Sequence, residues 1–257
     1  MQELHGIGYA GMEIMADRPH LWPPDMDQES LEAVRCKAEE LGLELCNINA
    51  FMMKAIRNIH HPSWIEPLEV DRRLRIEHTK ECIRLAHALS VPSISTEPGG
   101  PLDGMDREKA ETLFEQGIRQ VLPLSESLGV RLLIEPEPGL LFSGLSETVA
   151  FIKRIPSETL GINFDLGHFF CLGQDPAALI RSWSGPIDHV HLEDIAGDRR
   201  HHHLIPGLGA MDFESIFEAL HSRGYDGFVT VELYPYEQTP ARAAEEAFVF
   251  LQRFLKP

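Results

Sequence analysis

Acidic and imidazole side chains end four consecutive apolar segments in the second half of the chain, in the motifs IEPEP, NFDLGH, HVHLED and VELYPY. The candidate metal ligands in these motifs are Glu135, Glu137, Asp165, His168, His189, His191, Glu193, Asp194 and Glu232. Carboxylates combined with imidazole suit Mn²⁺, Mg²⁺ or Co²⁺ better than a metal that prefers thiolates. Without a cation, clustered carboxylates would repel one another and raise each other's pKa. The motifs therefore predict a divalent metal site.

Strands must carry these side chains, because short branched apolar segments alternate with longer amphipathic ones along the chain. The predicted strands are 9–16, 43–50, 91–96, 130–135, 160–165, 187–193 and 227–233. The predicted helices are 28–41, 71–89, 106–128 with a kink near Pro123, 145–155, 176–183, 212–223 and 240–255. This alternation predicts a parallel sheet with right-handed crossovers. In parallel barrels, functional groups collect at the carboxyl ends of the strands.

Seven strands are readable, although a (β/α)8 barrel has eight. Residues 2–8 read like the end of a helix that stops at Gly8. At 257 residues, the chain has the usual length of a single α/β barrel. We therefore expect one domain over residues 1–257, with a (β/α)8 TIM-barrel fold that lacks its first β-strand.

Composition argues against several classes of partner. The net charge is −17, which disfavours a nucleic-acid partner because such binding depends on Lys and Arg at phosphates. No apolar run reaches the length of a membrane span, so no membrane association is expected. The four cysteines are dispersed, which predicts buried thiols and a cytoplasmic protein. No P-loop or GxGxxG motif indicates a nucleotide cofactor.

Weaker candidates for substrate binding follow the other strands. Glu97, in STEPGG, is placed to bind substrate hydroxyls, with an ordinary loop carboxylate as the alternative. Asn49 ends the second strand. Arg199 or Arg200 is a candidate for an anionic or hydroxylated substrate end, although a solvated loop arginine is the more usual interpretation. His60 and His61, near Trp64, are lid candidates.

The four motifs, together with GYAGMEIM and HLIPGLGAMDF, resemble the xylose-isomerase-like superfamily in their order and spacing. The resemblance covers nearly the whole chain. It implies that Glu135, Asp165, His191 and Glu232 bind one divalent ion, with Mn²⁺ expected first and Mg²⁺, Co²⁺ or Zn²⁺ as alternatives. Either Glu135 or Glu137 could be the ligand from this motif. We prefer Glu135, because Glu135 ends an apolar run.

The resemblance also implies an isomerase or epimerase that acts on a keto-sugar or polyol. Glu135 and Glu232 would then be the acid–base pair that transfers a proton next to a carbonyl, through an enediolate. By the same resemblance, His168 and His203 would contact the substrate. Four further candidates for substrate contact come from their positions in the sequence: Glu137, Glu97, Asn49 and Arg200. A homo-oligomer, either dimer or tetramer, is the expectation at the family level.

Three alternatives stay open. An inosose-type dehydratase would use the same metal and the same proton abstraction, and would then expel a hydroxyl. An endonuclease IV-like enzyme needs extra metal ligands, but Glu97 stands where that branch has histidine, and His201 stands where it has aspartate. A non-catalytic barrel that binds a metal or ligand is the third.

Overall fold

The computed structural model describes residues 1–255, and within them seven strands follow one another in chain order along a sheet. The strands are β1 (Gly11–Met15), β2 (Glu44–Asn49), β3 (Ser93–Thr96), β4 (Arg131–Ile134), β5 (Leu160–Asp165), β6 (His189–Leu192) and β7 (Val229–Val231). The pairings β1–β2, β2–β3, β3–β4, β4–β5 and β6–β7 are all parallel. The seven predicted strands are therefore confirmed, with ends that differ by up to two residues.

Helices separate the strands. They are α1 (Gln2–Ile7), α2 (Gln28–Leu41), α3 (Glu69–Ala88), α4 (Arg107–Leu128), α5 (Leu145–Ile152), α6 (Leu166–Cys171), α7 (Pro176–Ser182), α8 (Phe213–Ser222) and α9 (Pro240–Leu251). Aspartate side chains cap five of them by accepting from backbone N–H groups in the first turn, at Asp27, Asp106, Asp165, Asp175 and Asp212. The predicted last helix is shorter than expected, since residues 252–254 form a 3-10 turn.

Backbone contacts divide the described chain into two compact units. The larger unit is Gly11–Asn163. Its core includes three fully or nearly fully buried rings, those of Phe114, Phe142 and Phe151. Phe114 and Phe151 stack with ring centroids 4.7 Å apart, which gives helices α4 and α5 a shared apolar contact.

The smaller unit comprises residues 1–10 and the chain from Phe164 onwards. Helix α1 ends at Gly8, whose φ of 114° lies in the left-handed region. The Tyr9 hydroxyl then donates to the carbonyl of Ala244 at 2.9 Å, and the Tyr9 ring packs 5.0 Å from that of Phe248. The first ten residues are thus fastened to α9, and the predicted helix ending in a glycine is confirmed. The single domain over 1–257 stays a prediction, and its last two positions lie outside the described residues.

The cysteines are all free thiols, as expected, but not all of them are buried. Cys46 and Cys82 are buried and Cys171 is partly buried. The prediction is wrong for Cys36, which is exposed on α2. Within residues 1–255, no helix combines the length and the apolar character needed to cross a membrane.

Candidate metal centre

Three of the four predicted ligands meet in the smaller unit. Asp165 ends β5, His191 lies in β6 and Glu232 directly follows β7. His191 Nδ1 lies 4.0 Å from Asp165 Oδ2 and 3.6 Å from Glu232 Oε2. Ligand atoms about 2.1 Å from a shared cation lie about 3 to 4 Å from one another. The three side chains therefore have the spacing of a metal site.

Asp165 divides its two carboxylate oxygens between a helix and this site. Oδ1 accepts from the backbone N–H of His168 at 2.8 Å and so caps α6. Oδ2 is buried and has no hydrogen-bond partner among residues 1–255. Burial raises the pKa of Asp165, but attraction to His168, His203 and His191 outweighs burial and lowers the pKa to about 2. A buried, ionised oxygen without a partner is what a cation would satisfy.

Glu232 is fixed from two sides. Its backbone N–H donates to the Leu192 carbonyl at 3.1 Å, and its carbonyl faces His203 Nδ1 at 3.3 Å. Burial raises the pKa of the Glu232 carboxyl, but the contact with His191 and the attraction of His203 lower it further than burial raises it. Glu232 is therefore a second candidate carboxylate ligand beside His191, after Asp165.

Glu193 adds a third carboxylate to this cluster. Its side chain is fully buried, and its oxygens lie with Asp165 and His168 in a group whose ligand atoms are all within 4.8 Å. Burial first, and then repulsion by Asp165 and Glu232, raise the pKa of Glu193 well above its ordinary value. The sequence marked Glu193 as a candidate ligand, but it gave no sign that this residue would be so deeply enclosed.

A group of three histidines lies in the same unit. His168, His201 and His203 each offer a ring nitrogen within 4.8 Å of the others, and the Nε2 atoms of His201 and His203 are 3.0 Å apart. Burial lowers the pKa of His203, and burial with repulsion from the other two lowers that of His201 to about 4. The sequence analysis predicts no site role for His201, although the run of three histidines at 201–203 could have indicated one.

A buried aspartate shapes the loop that carries His203. The Asp194 carboxylate accepts hydrogen bonds from the backbone N–H groups of Gly207, Gly209 and Met211 at 2.8 to 3.1 Å. Four donors, counting Ile195, converge on one carboxylate, so the loop 204–211 is wrapped around it. Asp194 thereby supports the fold, which is a different role from the metal ligand that its motif suggested.

The larger unit holds the remaining predicted ligand, Glu135. It follows β4, is 3% exposed, and accepts from Asn163 Nδ2 at 2.8 Å. Glu137 is also buried, and its backbone N–H donates to the Phe142 carbonyl at 3.2 Å. Asn49 Oδ1 accepts from the Phe51 N–H, so this oxygen supports a turn.

Two other predicted substrate residues have contrasting surroundings. Glu97 is fully buried, and its Oε1 lies 3.2 Å from Nη2 of Arg75. The side chain of Arg200 is 87% exposed and lies 3.5 Å from Asp198. The structure does not bring Arg200 into the cluster around Asp165, and its substrate role stays a prediction.

Comparison with known proteins identifies the class of fold. Over 98% of the chain, the structure resembles 3-keto-D-glucoside 4-epimerase from E. coli, with a TM-score of 0.80, 17% identity and 92% of that chain covered. It also resembles the IolI protein with a binding zinc atom, with a TM-score of 0.79, 17% identity, and coverage of 98% of this chain and 90% of that one. These similarities show the fold, an α/β barrel of the TIM type, and confirm the predicted fold class.

Sequence comparison gives the family. Residues 1–254 match the family described as xylose isomerase-like TIM barrel, and the chain belongs to it. Among curated relatives, it is 28% identical to inosose dehydratase from Clostridium beijerinckii over 152 residues, which cover 53% of this chain and 50% of that protein. The chain spans about half or less of the length of the first curated relatives that it matches.

Proposed function

We propose that the chain is a divalent-metal-dependent isomerase or epimerase that acts on a keto-sugar or a related polyol. The observation that carries the proposal is the grouping of Asp165, His191 and Glu232 around the buried oxygen Asp165 Oδ2. One imidazole and several carboxylates favour Mn²⁺, with Mg²⁺, Co²⁺ and Zn²⁺ as alternatives.

Glu135 is proposed as the fourth ligand. The β4–β5 register pairs Ile134 with Ile162, and the next residues, Glu135 and Asn163, are joined by the side-chain hydrogen bond. Asn163 and Asp165 are two residues apart in β5, so their side chains leave the same face of that strand. This position directly after β4, beside Asn163, supports the proposed role of Glu135 as a ligand.

The chemistry requires a proton to leave and return next to a carbonyl. A divalent ion supplies polarisation of the carbonyl, which acidifies the adjacent C–H. One carboxylate of the pair Glu135 and Glu232 removes the proton and leaves an enediolate. The other returns a proton, to the opposite face for epimerisation or to the neighbouring carbon for isomerisation.

Neutral imidazoles would orient the hydroxyls of the substrate. His203 is buried and its lowered pKa keeps it neutral. With Nδ1 directed at the Glu232 carbonyl, its Nε2 is an acceptor that contacts His201 Nε2 at 3.0 Å, and a substrate hydroxyl would replace that contact. His168, buried in α6, is proposed for the same role.

A dehydratase is the second candidate, and the similarity to inosose dehydratase favours it. The same carboxylate would remove the proton beside the carbonyl. The electron pair left on that carbon would then expel a hydroxyl from the next carbon as water, with a proton supplied by a neighbouring acid.

Solvent exchange in D₂O tests what the two candidates share. The chain, stripped with chelator and reloaded with Mn²⁺, is incubated with D-fructose and separately with inosose, and the products are analysed by mass spectrometry and NMR. We expect metal-dependent deuterium incorporation beside the carbonyl, with Glu135→Gln as the inactive variant. Products without loss of water support the isomerase or epimerase, and loss of water supports the dehydratase. Absence of both exchange and product with either substrate would count against the proposal.

A further inference from the structure

Glu97 and His60 face each other in the larger unit across a gap of 3.9 Å between polar atoms, a distance that one oxygen atom can bridge. Glu97 Oε2 lies 3.9 Å from His60 Nδ1. All three polar atoms, His60 Nδ1 and both Glu97 oxygens, are buried, and none has a hydrogen-bond partner among residues 1–255. A separation of 3.9 Å exceeds a direct hydrogen bond, but an oxygen to one side of the line between the two atoms can lie about 2.8 Å from both.

The loop that carries His60 is held in place. Asn58 Oδ1 accepts the backbone N–H of His60 at 3.0 Å, and the His60 ring meets that of Phe51 edge-on at 6.0 Å. Arg75, fully buried in α3, donates to three loop carbonyls, those of Ala50, Phe51 and Pro62. The imidazole is therefore positioned before any ligand arrives, which lowers the entropic cost of binding.

Charge decides which chemical group suits the gap. Arg75 Nη2 lies 3.2 Å from Glu97 Oε1 and supplies one positive charge to this carboxylate. A metal cation at Glu97 would be repelled by that guanidinium. A neutral hydroxyl can donate to Glu97 Oε2 and accept from His60 Nδ1–H, so both unsatisfied groups are served by one atom. The His60 side chain is 35% exposed, which leaves a path from solvent.

We propose that Glu97 and His60 form a binding site for one hydroxyl of a polyol. The site stands next to Glu135 along the sheet: Thr96 pairs with Ile134, and the Glu135 N–H donates to the Thr96 carbonyl at 3.0 Å. Glu97 and Glu135 thus directly follow the neighbouring strands β3 and β4. A role of the Glu97–His60 site in substrate specificity rests on the proposed function, but the binding of a polyol at this site does not.

The test uses myo-inositol, a polyol without a carbonyl that the proposed reaction cannot convert. Binding to the full chain is measured by calorimetry, and the His60 ring nitrogens are followed by NMR with ¹⁵N-labelled histidine. We expect His60 Nδ1 to shift and saturate with myo-inositol. His60→Phe, which keeps the ring against Phe51, should weaken binding about tenfold, the effect of losing one hydrogen bond to a polar group. Glu97→Gln should weaken it as well.

His87→Phe is the matched control. His87 is an exposed imidazole at the end of α3, and its Nδ1 contacts the Leu128 carbonyl instead of Glu97. This variant should leave the affinity unchanged. Equal binding by wild type and His60→Phe, or no saturable binding by the wild type, overturns the inference. The proposed function fails separately, through absent exchange in D₂O, and neither result depends on the other.

Discussion

Gly167 lies directly against the carboxylate of Glu193, so that a Cβ at position 167 would stand 1.6 Å from Glu193 Oε1. The glycine of FDLGH is therefore required by a side chain of the HVHLED motif. Because Glu193 groups with Asp165 and His168, the space that this glycine leaves is part of the proposed metal centre.

Gly167→Ala should displace Glu193 and disturb the centre. We expect a loss of about 1 to 3 kcal/mol in the free energy of unfolding, the usual cost of overpacking, together with weaker Mn²⁺ binding. Urea unfolding and calorimetric titration with Mn²⁺ measure the two effects. Gly6→Ala is the control, since nothing lies within 4 Å of its Cβ position. Unchanged metal binding in Gly167→Ala would remove Glu193 from the site.

Asp194→Ala should loosen the loop that presents His203. Four backbone N–H groups would lose their shared acceptor, and we expect a cost of about 2 to 4 kcal/mol in the free energy of unfolding. The urea midpoint is the measurement. Asp198→Ala, which removes an exposed carboxylate near Arg200, should change it by less than about 0.5 kcal/mol. Equal midpoints for the two variants would contradict the supporting role of Asp194.

His78 should make the protein less stable in acid. Burial, assisted by repulsion from Arg75, lowers the pKa of His78 to about 3. At pH values between about 3 and the ordinary pKa of about 6.5, His78 is protonated in the unfolded chain but not in the folded protein. The free energy of unfolding therefore falls as the pH decreases through this range. At pH 5 this group alone costs about 2 kcal/mol relative to pH 7.

Replacing His78 by Phe should flatten this part of the pH profile and keep the stacking on Trp22, whose ring lies 5.1 Å away. The free energy of unfolding in urea, measured at pH 7 and pH 5, gives the comparison. His5→Phe, on the exposed face of α1, should keep the slope of the wild type. A wild-type slope in His78→Phe would show that another group dominates.

The sequence predicted the strands, and the meeting of three candidate ligands in the smaller unit, for one physical reason. A carboxylate or imidazole that interrupts an apolar run at a strand end is visible in the order of residues, and parallel strands bring those ends to one edge. Asp165, His191 and Glu232 follow this rule. The metal-binding roles of these three residues and of Glu135 stay predictions.

Other features depend on contacts that no local pattern contains. Helix α6 begins directly after β5 with no loop, and the sequence pattern, which ends its strand at Asp165, predicts no element over residues 166–171. Arg75 belongs to a charged run, DRRLR, that looks solvated, yet it is fully buried because loop carbonyls and Glu97 surround it. The packing of Gly167 against Glu193 joins two distant motifs and could not be read from either.

Metal binding by wild type and by Asp165→Asn tests the central claim most directly. Asparagine still caps helices well, so α6 and the thermal stability of the metal-free protein should be retained. We predict one tightly bound Mn²⁺ per wild-type chain, measured by calorimetry and elemental analysis, and an affinity at least about tenfold lower in Asp165→Asn, as expected when a charged contact is lost. A wild type that binds no divalent ion, or an Asp165→Asn variant that binds it as tightly, would contradict the account.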